Sequence, residues 1–333
     1  MKIGIVGFGY WGPNLLRNFW ERYPGSVSWC CDPNRARLDL AHTRYPEVRT
    51  TEDYQDCLRD RDTEAVVVAT PVRLHHPIAL AALRAGRHVL IEKPMCRSVR
   101  EADELLEEAD KRRLTVMVDH TFIYTGAIRK IKELLDDGSL GRPYYYDSIR
   151  VNLGLFQHDV SVVWDLGPHD ISILQYLFGL AAGQVQANGI SHTGTDRENI
   201  AFITIRYPGD FIAHINVNWL SPVKVRLTLI AGSNKMIVYD DMENDCKVKI
   251  YDRGISVDST SDLHQMLISY RSGDMYAPKL EMGEALSAMC RDFVESIRER
   301  TQPRSSGQLG REVVRILAAA EESLKQGGSV VKL

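Results

Sequence analysis

Three short stretches carry residues whose types and spacing could do chemistry. In WDLGPHD, Asp165 and His169 stand four residues apart, a spacing that on a helix puts both side chains on one face. A carboxylate beside an imidazole fixes its orientation and raises its basicity, which suits a proton acceptor working near neutral pH. Pro168 is tolerable there only in the first turns of the helix. The plainer reading is an aspartate at a helix start and a histidine filling an interface. In HVLIEKPM an apolar strand ends in Glu92-Lys93-Pro94. Ligands of open α/β sheets bind at the carboxyl ends of the strands, so Lys93 would emerge beside one; the alternative is a solvated surface lysine.

The third stretch is MKIGIVGFGYWGPNLL, where an apolar strand runs into Gly7, Phe8, Gly9 and Gly12. A dinucleotide-binding turn needs its first glycine for a tight bend, its second for close approach to the pyrophosphate, and its third so that helix and strand can pack. Pro13 then suits the first helical turn, where a missing N–H costs nothing. Tyr10 and Trp11 either pack over the pyrophosphate or cover the first helix. The second strand should end in an acid that meets the adenosine ribose, and VSWCCDPNRAR supplies Asp32. A carboxylate there accepts the ribose hydroxyls and repels a 2′-phosphate, which favours NAD over NADP. Arg35 and Arg37 are close by, and arginine is the residue that meets a 2′-phosphate.

The elements needed to position these residues can be read from periodicity. Short β-branched runs at Ile3 to Val6, Val27 to Cys31, Ala65 to Ala69, His88 to Ile91 and Thr115 to Val118 alternate with helical patterns, the signature of βαβ units and a doubly wound parallel sheet. The clearest helix is SVREADELLEEADKRRL, with Ser98 as N-cap, acids early and bases late. From about residue 143 long strand-like runs are joined by turns such as Pro208-Gly209-Asp210 and Gly232-Ser233-Asn234, which implies a large, mostly antiparallel sheet. The expected fold is α/β: a Rossmann domain over residues 1–120, then an α+β domain over 121–333 with an open-faced sheet. Helices are expected over VVWDLGPHDISILQYLFG, Glu284 to Arg300 and Gln308 to Gln326, the last placed to pack back on the first domain.

Composition excludes several classes. The chain of 333 residues is 44% hydrophobic and 26% charged, with a net charge of -3, which reads as soluble and globular and gives no basic field for nucleic acid. No apolar run approaches the roughly 18 residues of a membrane helix, so no membrane association is expected. Cysteines at 30, 31, 57, 96, 246 and 290 lack metal-ligand or redox-motif spacing. They read as free thiols in the cytoplasm, with no metal site.

Together, the GFGYWG turn, the EKP after the strand at 88–91, the P-x-x-x-H of Pro71 to His75 and the D-x-x-x-H of Asp165 to His169 resemble the Gfo/Idh/MocA oxidoreductases over essentially the whole chain. GYWGPNLLRNF, HTFIYTGAIRKIKELL and RVNLGLFQHDVSVVWDLGPHDISIL look closest to the branch acting on nucleotide-linked sugars, such as UDP-N-acetylglucosamine 3-dehydrogenases. One departure is Ser161-Val162-Val163-Trp164, where many members carry a glycine-rich run. The resemblance implies that Lys93, Asp165 and His169 meet at the nicotinamide, with His169 as base, Lys93 stabilising the developing oxyanion and Asp165 orienting the pair. It also implies that Thr70, Pro71, His75 and Glu92 border the cofactor, as His120 could. Arg150, Asn152 and His158 are expected at the substrate, and a homodimer or homotetramer forms through the antiparallel sheet. A free sugar or inositol would be served by the same residues. A regulator that senses NAD(P) without turnover is the reading from another class, although it has no need of a proton-transfer group. A short-chain dehydrogenase is excluded by the lack of any Tyr-x-x-x-Lys.

Overall fold

The computed structural model describes residues 1–154, 160–192, 194, 197–252, 254–256, 269–271 and 273–333. The chain divides into two compact units, Met1–Thr125 with Gly283–Arg315, and Gly126–Met282 with Ile316–Leu333.

The first unit is built on a six-stranded parallel sheet of β1 (Lys2–Val6), β2 (Val27–Cys31), β3 (Arg49–Thr51), β4 (Thr63–Val68), β5 (His88–Glu92) and β6 (Val116–Asp119), in the order β3-β2-β1-β4-β5-β6. Val66, Val67 and Val68 of β4 and Val89, Leu90 and Ile91 of β5 are wholly buried, as strands covered on both faces must be. The crossovers carry α1 (Gly12–Arg22), α2 (Arg35–Arg44), α3 (Tyr54–Arg59), α4 (His75–Arg84) and α5 (Val99–Arg112). Ser98 caps α5 by accepting from the Glu101 amide at 3.2 Å, as its position in the sequence requires. The edge strand β3 is the one the periodicity reading did not include, because three polar residues, Arg-Thr-Thr, carry no alternation signal.

The second unit begins with α6 (Gly126–Asp136), followed by β7 (Pro143–Leu153), α7 (Val162–Phe178), β8 (Gln184–Ile190), β9 (Ile200–Arg206), β10 (Ile212–Asn218), β11 (Leu220–Gly232), β12 (Met236–Asp240) and β13 (Val248–Tyr251). A separate two-stranded ribbon pairs β14 (Gly254–Ser256) with β15 (Ser269–Arg271), and β16 is Met275–Tyr276. Two helices follow, α8 (Ala285–Glu299) and α9 (Gly307–Lys325), before β17 (Val331–Lys332). The nine-stranded sheet runs β16-β13-β12-β11-β7-β10-β9-β8-β17 and is antiparallel except for the central pair β7 and β10. Strict alternation decides its faces: Ala201, Ile203 and Ile205 of β9 and Ala213, Ile215 and Val217 of β10 are fully buried. Phe202 and Ile212 point the other way.

The expected division at residue 120 needs one correction. The chain returns to the first unit over Gly283–Arg315, so the second part is not continuous. The cause is local packing: at the start of α9, a side chain on Gly307 would collide with Leu106 and Val116, and one on Gly310 with Val118. Arg311 donates to Asp103 of α5 at 2.5 Å. These two glycines let α9 lie against β6 at a distance no Cβ permits.

In the second unit, α7 is tied to the sheet by one buried ion pair. Arg150 of β7, 4% exposed, donates from Nε and Nη2 to the two carboxylate oxygens of Asp170, 2% exposed, at 2.5 and 3.3 Å. Breaking such a pair by removing one partner leaves an uncompensated buried charge. Asp170→Ala is therefore expected to lower unfolding stability by about 3–5 kcal/mol in equilibrium urea titration, and the double change Arg150→Met with Asp170→Leu to regain most of it.

Candidate active site

The functional residues of the first unit follow from where its strands end. β1 stops at Val6, and Gly7 takes a backbone φ of +97°, open to glycine but costly for other residues. A Cβ there would lie 2.4 Å from the carbonyl oxygen of Ala69, and one on Gly12 would lie 2.1 Å from that of Gly7. Gly9 differs: the nearest atom to its would-be Cβ is Nη1 of Arg37 at 3.7 Å, so its backbone is open to approach. No side chain caps the start of α1, which leaves backbone amides there for an anion. Phe8 is buried, whereas Tyr10 is 78% exposed and meets Trp11 edge to face at 5.5 Å.

Asp32 lies just past the end of β2 and is 3% exposed. Its Oδ2 accepts from the Phe8 amide at 2.7 Å and its Oδ1 from the Asn34 amide at 2.9 Å. The carboxylate thus ties the glycine turn to the second strand, and Oδ1 keeps a lone pair for a ribose hydroxyl. Arg37 approaches Oδ2 at 3.4 Å, so the negative charge at this end is partly offset.

Past β4, the buried ring of His75 lies between the carbonyl oxygens of Thr70, 2.7 Å from Nε2, and Pro94, 2.9 Å from Nδ1. It braces the loop of Thr70 and Pro71 against the segment that carries Lys93. The buried hydroxyl of Thr70 and both ring nitrogens of buried His120 have no hydrogen-bond partner among the described residues. Burial, together with the positive charge of Lys93, pushes His120 down to about 3, so its ring is neutral near pH 7. An open glycine turn, an uncapped helix start and these unsatisfied polar atoms, all at the carboxyl edge of one parallel sheet, fit a dinucleotide.

Glu92 and Lys93 stand at the end of β5. Lys93 is half-buried, and its amide donates to Oε2 of Glu92 at 3.0 Å. Burial and the neighbouring charge of Asp119 hold the Glu92 carboxyl well above the usual carboxylate range, and burial raises Asp119 as well.

In the second unit, Asp165 and His169 lie in the first two turns of α7, both half-buried, and the helical period places them on one face. The Trp219 indole, buried at the end of β10, donates to Oδ2 of Asp165 at 3.2 Å. Trp219 itself is seated against Gly154, where a Cβ would come within 2.4 Å of the indole. Arg150 points to Asp170, so its guanidinium holds α7 and is not displayed on a surface. Asn152 is half-buried near the end of β7, and His158 lies outside the described residues.

Two residues that contact the candidate site residues or their neighbours escaped the sequence reading. Asp119 could have been found as an acid closing β6 in register with the acid closing β5. Trp219 carried no comparable signal, because an aromatic residue at a strand end reads as ordinary core.

Comparison with known proteins agrees with this arrangement. Residues 1–120 match the family model described as oxidoreductase family, NAD-binding Rossmann fold, and residues 128–238 match the Gfo/Idh/MocA C-terminal domain. Scyllo-inositol 2-dehydrogenase (NADP(+)) IolW of Bacillus subtilis is 24% identical over 99% of this chain and 96% of its own. The structure of UDP-N-acetylglucosamine 3-dehydrogenase GnnA from Acidithiobacillus ferrooxidans superposes with a TM-score of 0.82 at 23% identity, covering 98% of each chain. An Agrobacterium radiobacter oxidoreductase solved with NAD+, L-tartaric acid and magnesium gives a TM-score of 0.83 at 17% identity, covering 100% of this chain and 98% of that one. No helix among the described residues is long and apolar enough to cross a membrane.

The glycine geometry separates folding from binding. Gly12→Ala is expected to destabilise the first unit, whereas Gly9→Ala should leave its thermal midpoint in place and weaken NAD binding about tenfold or more, read by isothermal titration calorimetry. A Gly9→Ala protein that binds NAD as before would show that the pyrophosphate does not cross this turn.

Proposed function

The chain belongs to the Gfo/Idh/MocA family of NAD(P)-dependent oxidoreductases, and from that premise we propose that it oxidises a secondary alcohol of a nucleotide-linked sugar at C3, or reduces the corresponding ketone. The observation that carries the reading is the pair Asp165 and His169 on one face of α7, with Asp165 held by the Trp219 indole.

A hydride leaves an alcohol carbon only as the hydroxyl proton is removed. His169 is the base that takes this proton. Lys93, emerging at the carboxyl end of β5, hydrogen-bonds the same oxygen and stabilises the negative charge that develops on it. Asp165 orients the imidazole and, as an anion, favours its protonated form. The nicotinamide, when bound, supplies the hydride acceptor or donor. Gly7, Phe8, Gly9 and Gly12 would hold its pyrophosphate, Asp32 its adenosine ribose, and Thr70, Pro71 and His120 its inner end, with His75 and Glu92 fixing the loops that carry them. The carboxylate at Asp32 favours NAD as the working cofactor. In the reverse direction the same groups act as acid and electrostatic stabiliser.

The outward face of the nine-stranded sheet supports association of two or four copies. Phe202, Asn216, Ile149 and Leu227 follow one another across β9, β10, β7 and β11 as registered neighbours, so apolar side chains line one side of the sheet. His214 and Asp147 add a hydrogen bond of 2.9 Å, from Nδ1 to Oδ1, to that face.

The substrate assignment is tested by following nicotinamide reduction with NAD or NADP against UDP-, GDP- and dTDP-linked sugars, free hexoses and inositols. Turnover confined to a nucleotide sugar is expected. Turnover confined to inositols would move the protein to the reading that its likeness to the B. subtilis inositol enzyme favours, and cofactor binding without turnover would move it to a sensor. Lys93→Ala and His169→Asn should each lower kcat by about 10²–10⁴-fold while NAD still binds. Trp219→Phe should lower kcat less, because it removes only the donor that fixes Asp165; an unchanged kcat would separate Trp219 from the chemistry.

A further inference from the structure

Glu92 and Asp119 are the last residues of adjacent parallel strands and are paired in register. Registered partners point to the same face of a sheet, and these two side chains are 7% and 3% exposed. Each carboxyl shifts the other, as neighbours at the ends of paired strands do. Two ionised carboxylates are acceptors only, so a bond between them requires a proton. Each carboxyl also accepts from a neighbour: the Lys93 amide donates to Oε2 of Glu92 at 3.0 Å, and the Thr121 hydroxyl donates to Oδ1 of Asp119. Two buried acids on one face at the ends of paired strands, one of them held by the Lys93 amide, oppose each other's ionisation.

The surrounding groups of the same unit leave the pair opposite one cation. Lys93 is the positive group whose field reaches Glu92, Asp119 and His120. His120, next in the chain after Asp119, is neutral for the reasons given above. On α8, the thiol of buried Cys290 is pushed well up by burial and by the charge of Asp119, and stays protonated. Tyr124, in the turn after β6, keeps its proton and donates it to Asp292 at 2.6 Å. Glu284, Arg17 and Arg22 act on Cys290 from farther out, and Glu284 is itself paired with Arg17 at 2.5 Å.

We propose that Glu92 and Asp119 share one proton and act as a joint positioning pair for Lys93, setting one negative charge beside its ammonium so that it faces the reacting oxygen. Asp119 thereby becomes a functional residue that never touches substrate. The inference rests on Lys93 belonging to the active site as argued above, and its test does not depend on turnover.

Charge counting makes the pair testable. In Glu92→Gln or Asp119→Asn, the remaining carboxyl gives up its proton and accepts from the new amide, so one negative charge survives; in the double variant none does. Lys93 is followed by NMR in protein labelled with 13C at lysine Cε, its signal assigned by its absence in Lys93→Ala. Each single variant should leave the Lys93 Cε chemical shift near neutral pH close to the parent's, and the double variant should move it. In the double variant kcat should fall with KM little changed, as loss of positioning at the reacting oxygen requires. A full shift in either single variant, or none in the double, overturns the proposal. Infrared spectroscopy of the parent provides a check that needs no folded double variant: a protonated carboxyl C=O band should be present near neutral pH and lost in both single variants. Its absence in the parent overturns the shared proton. If the Lys93 signal responds as expected while Lys93→Ala retains full turnover, the pair stands and the catalytic role of Lys93 falls.

Discussion

A parallel sheet covered on both faces tolerates almost no polar side chain along its strands, and the first unit is organised around that constraint. Apart from Ser28 in β2 and Thr63 at the start of β4, the buried parts of β1, β2, β4, β5 and β6 are apolar, and polar groups gather at or just past their carboxyl ends, at Asp32, Thr70, Glu92 and Asp119. Because the strands are parallel, those ends fall on one edge. The groups that bind a dinucleotide and the lysine assigned to the chemistry are therefore gathered by the exclusion of polarity from everywhere else.

Burial at that edge then changes what the polar groups can do. Asp32 is held by two backbone amides, which makes it a strut for the glycine turn as well as a contact for a ribose. His75 serves its neighbours through the carbonyls it bridges. Glu92 and Asp119 are too deeply buried and too close for both to ionise, so two acids carry one charge. In each case the side chain's first partner is the protein itself, and its influence on a ligand passes through what it holds in place.

The second unit meets the same problem with different means. Its sheet is covered by α7 on one face, so the strands alternate, and polar residues on the buried side need partners. Arg150 finds Asp170, and the Trp219 indole finds Asp165. The first pair fixes the helix to the sheet and the second fixes the end of the helix that presents Asp165 and His169. An arginine on the strand next to a supposed pocket reads as a substrate contact in sequence because exposure is invisible there. The fold turns it inward, where pairing is obligatory.

Patterns local in the chain were legible from the sequence alone. The strand and helix periods, the spacing of Gly7, Gly9 and Gly12, the acid after β2 and the i to i+4 spacing of Asp165 and His169 depend only on neighbours within a few residues, and each specifies its own geometry. The family resemblance added the order in which such motifs follow one another. Short β3 was missed because three polar residues lack a period; a return of the last helix to the first domain was expected, but its bounds at Gly283 and Arg315 were not legible, because small residues at Gly307 and Gly310 do not announce what they pack against. The pairings of Arg150 with Asp170, Trp219 with Asp165 and Glu92 with Asp119 join residues 20, 54 and 27 positions apart. Only the tertiary structure could decide them, since burial and charge pairing are properties of the space around a residue, and that space is filled by parts of the chain that no local pattern names.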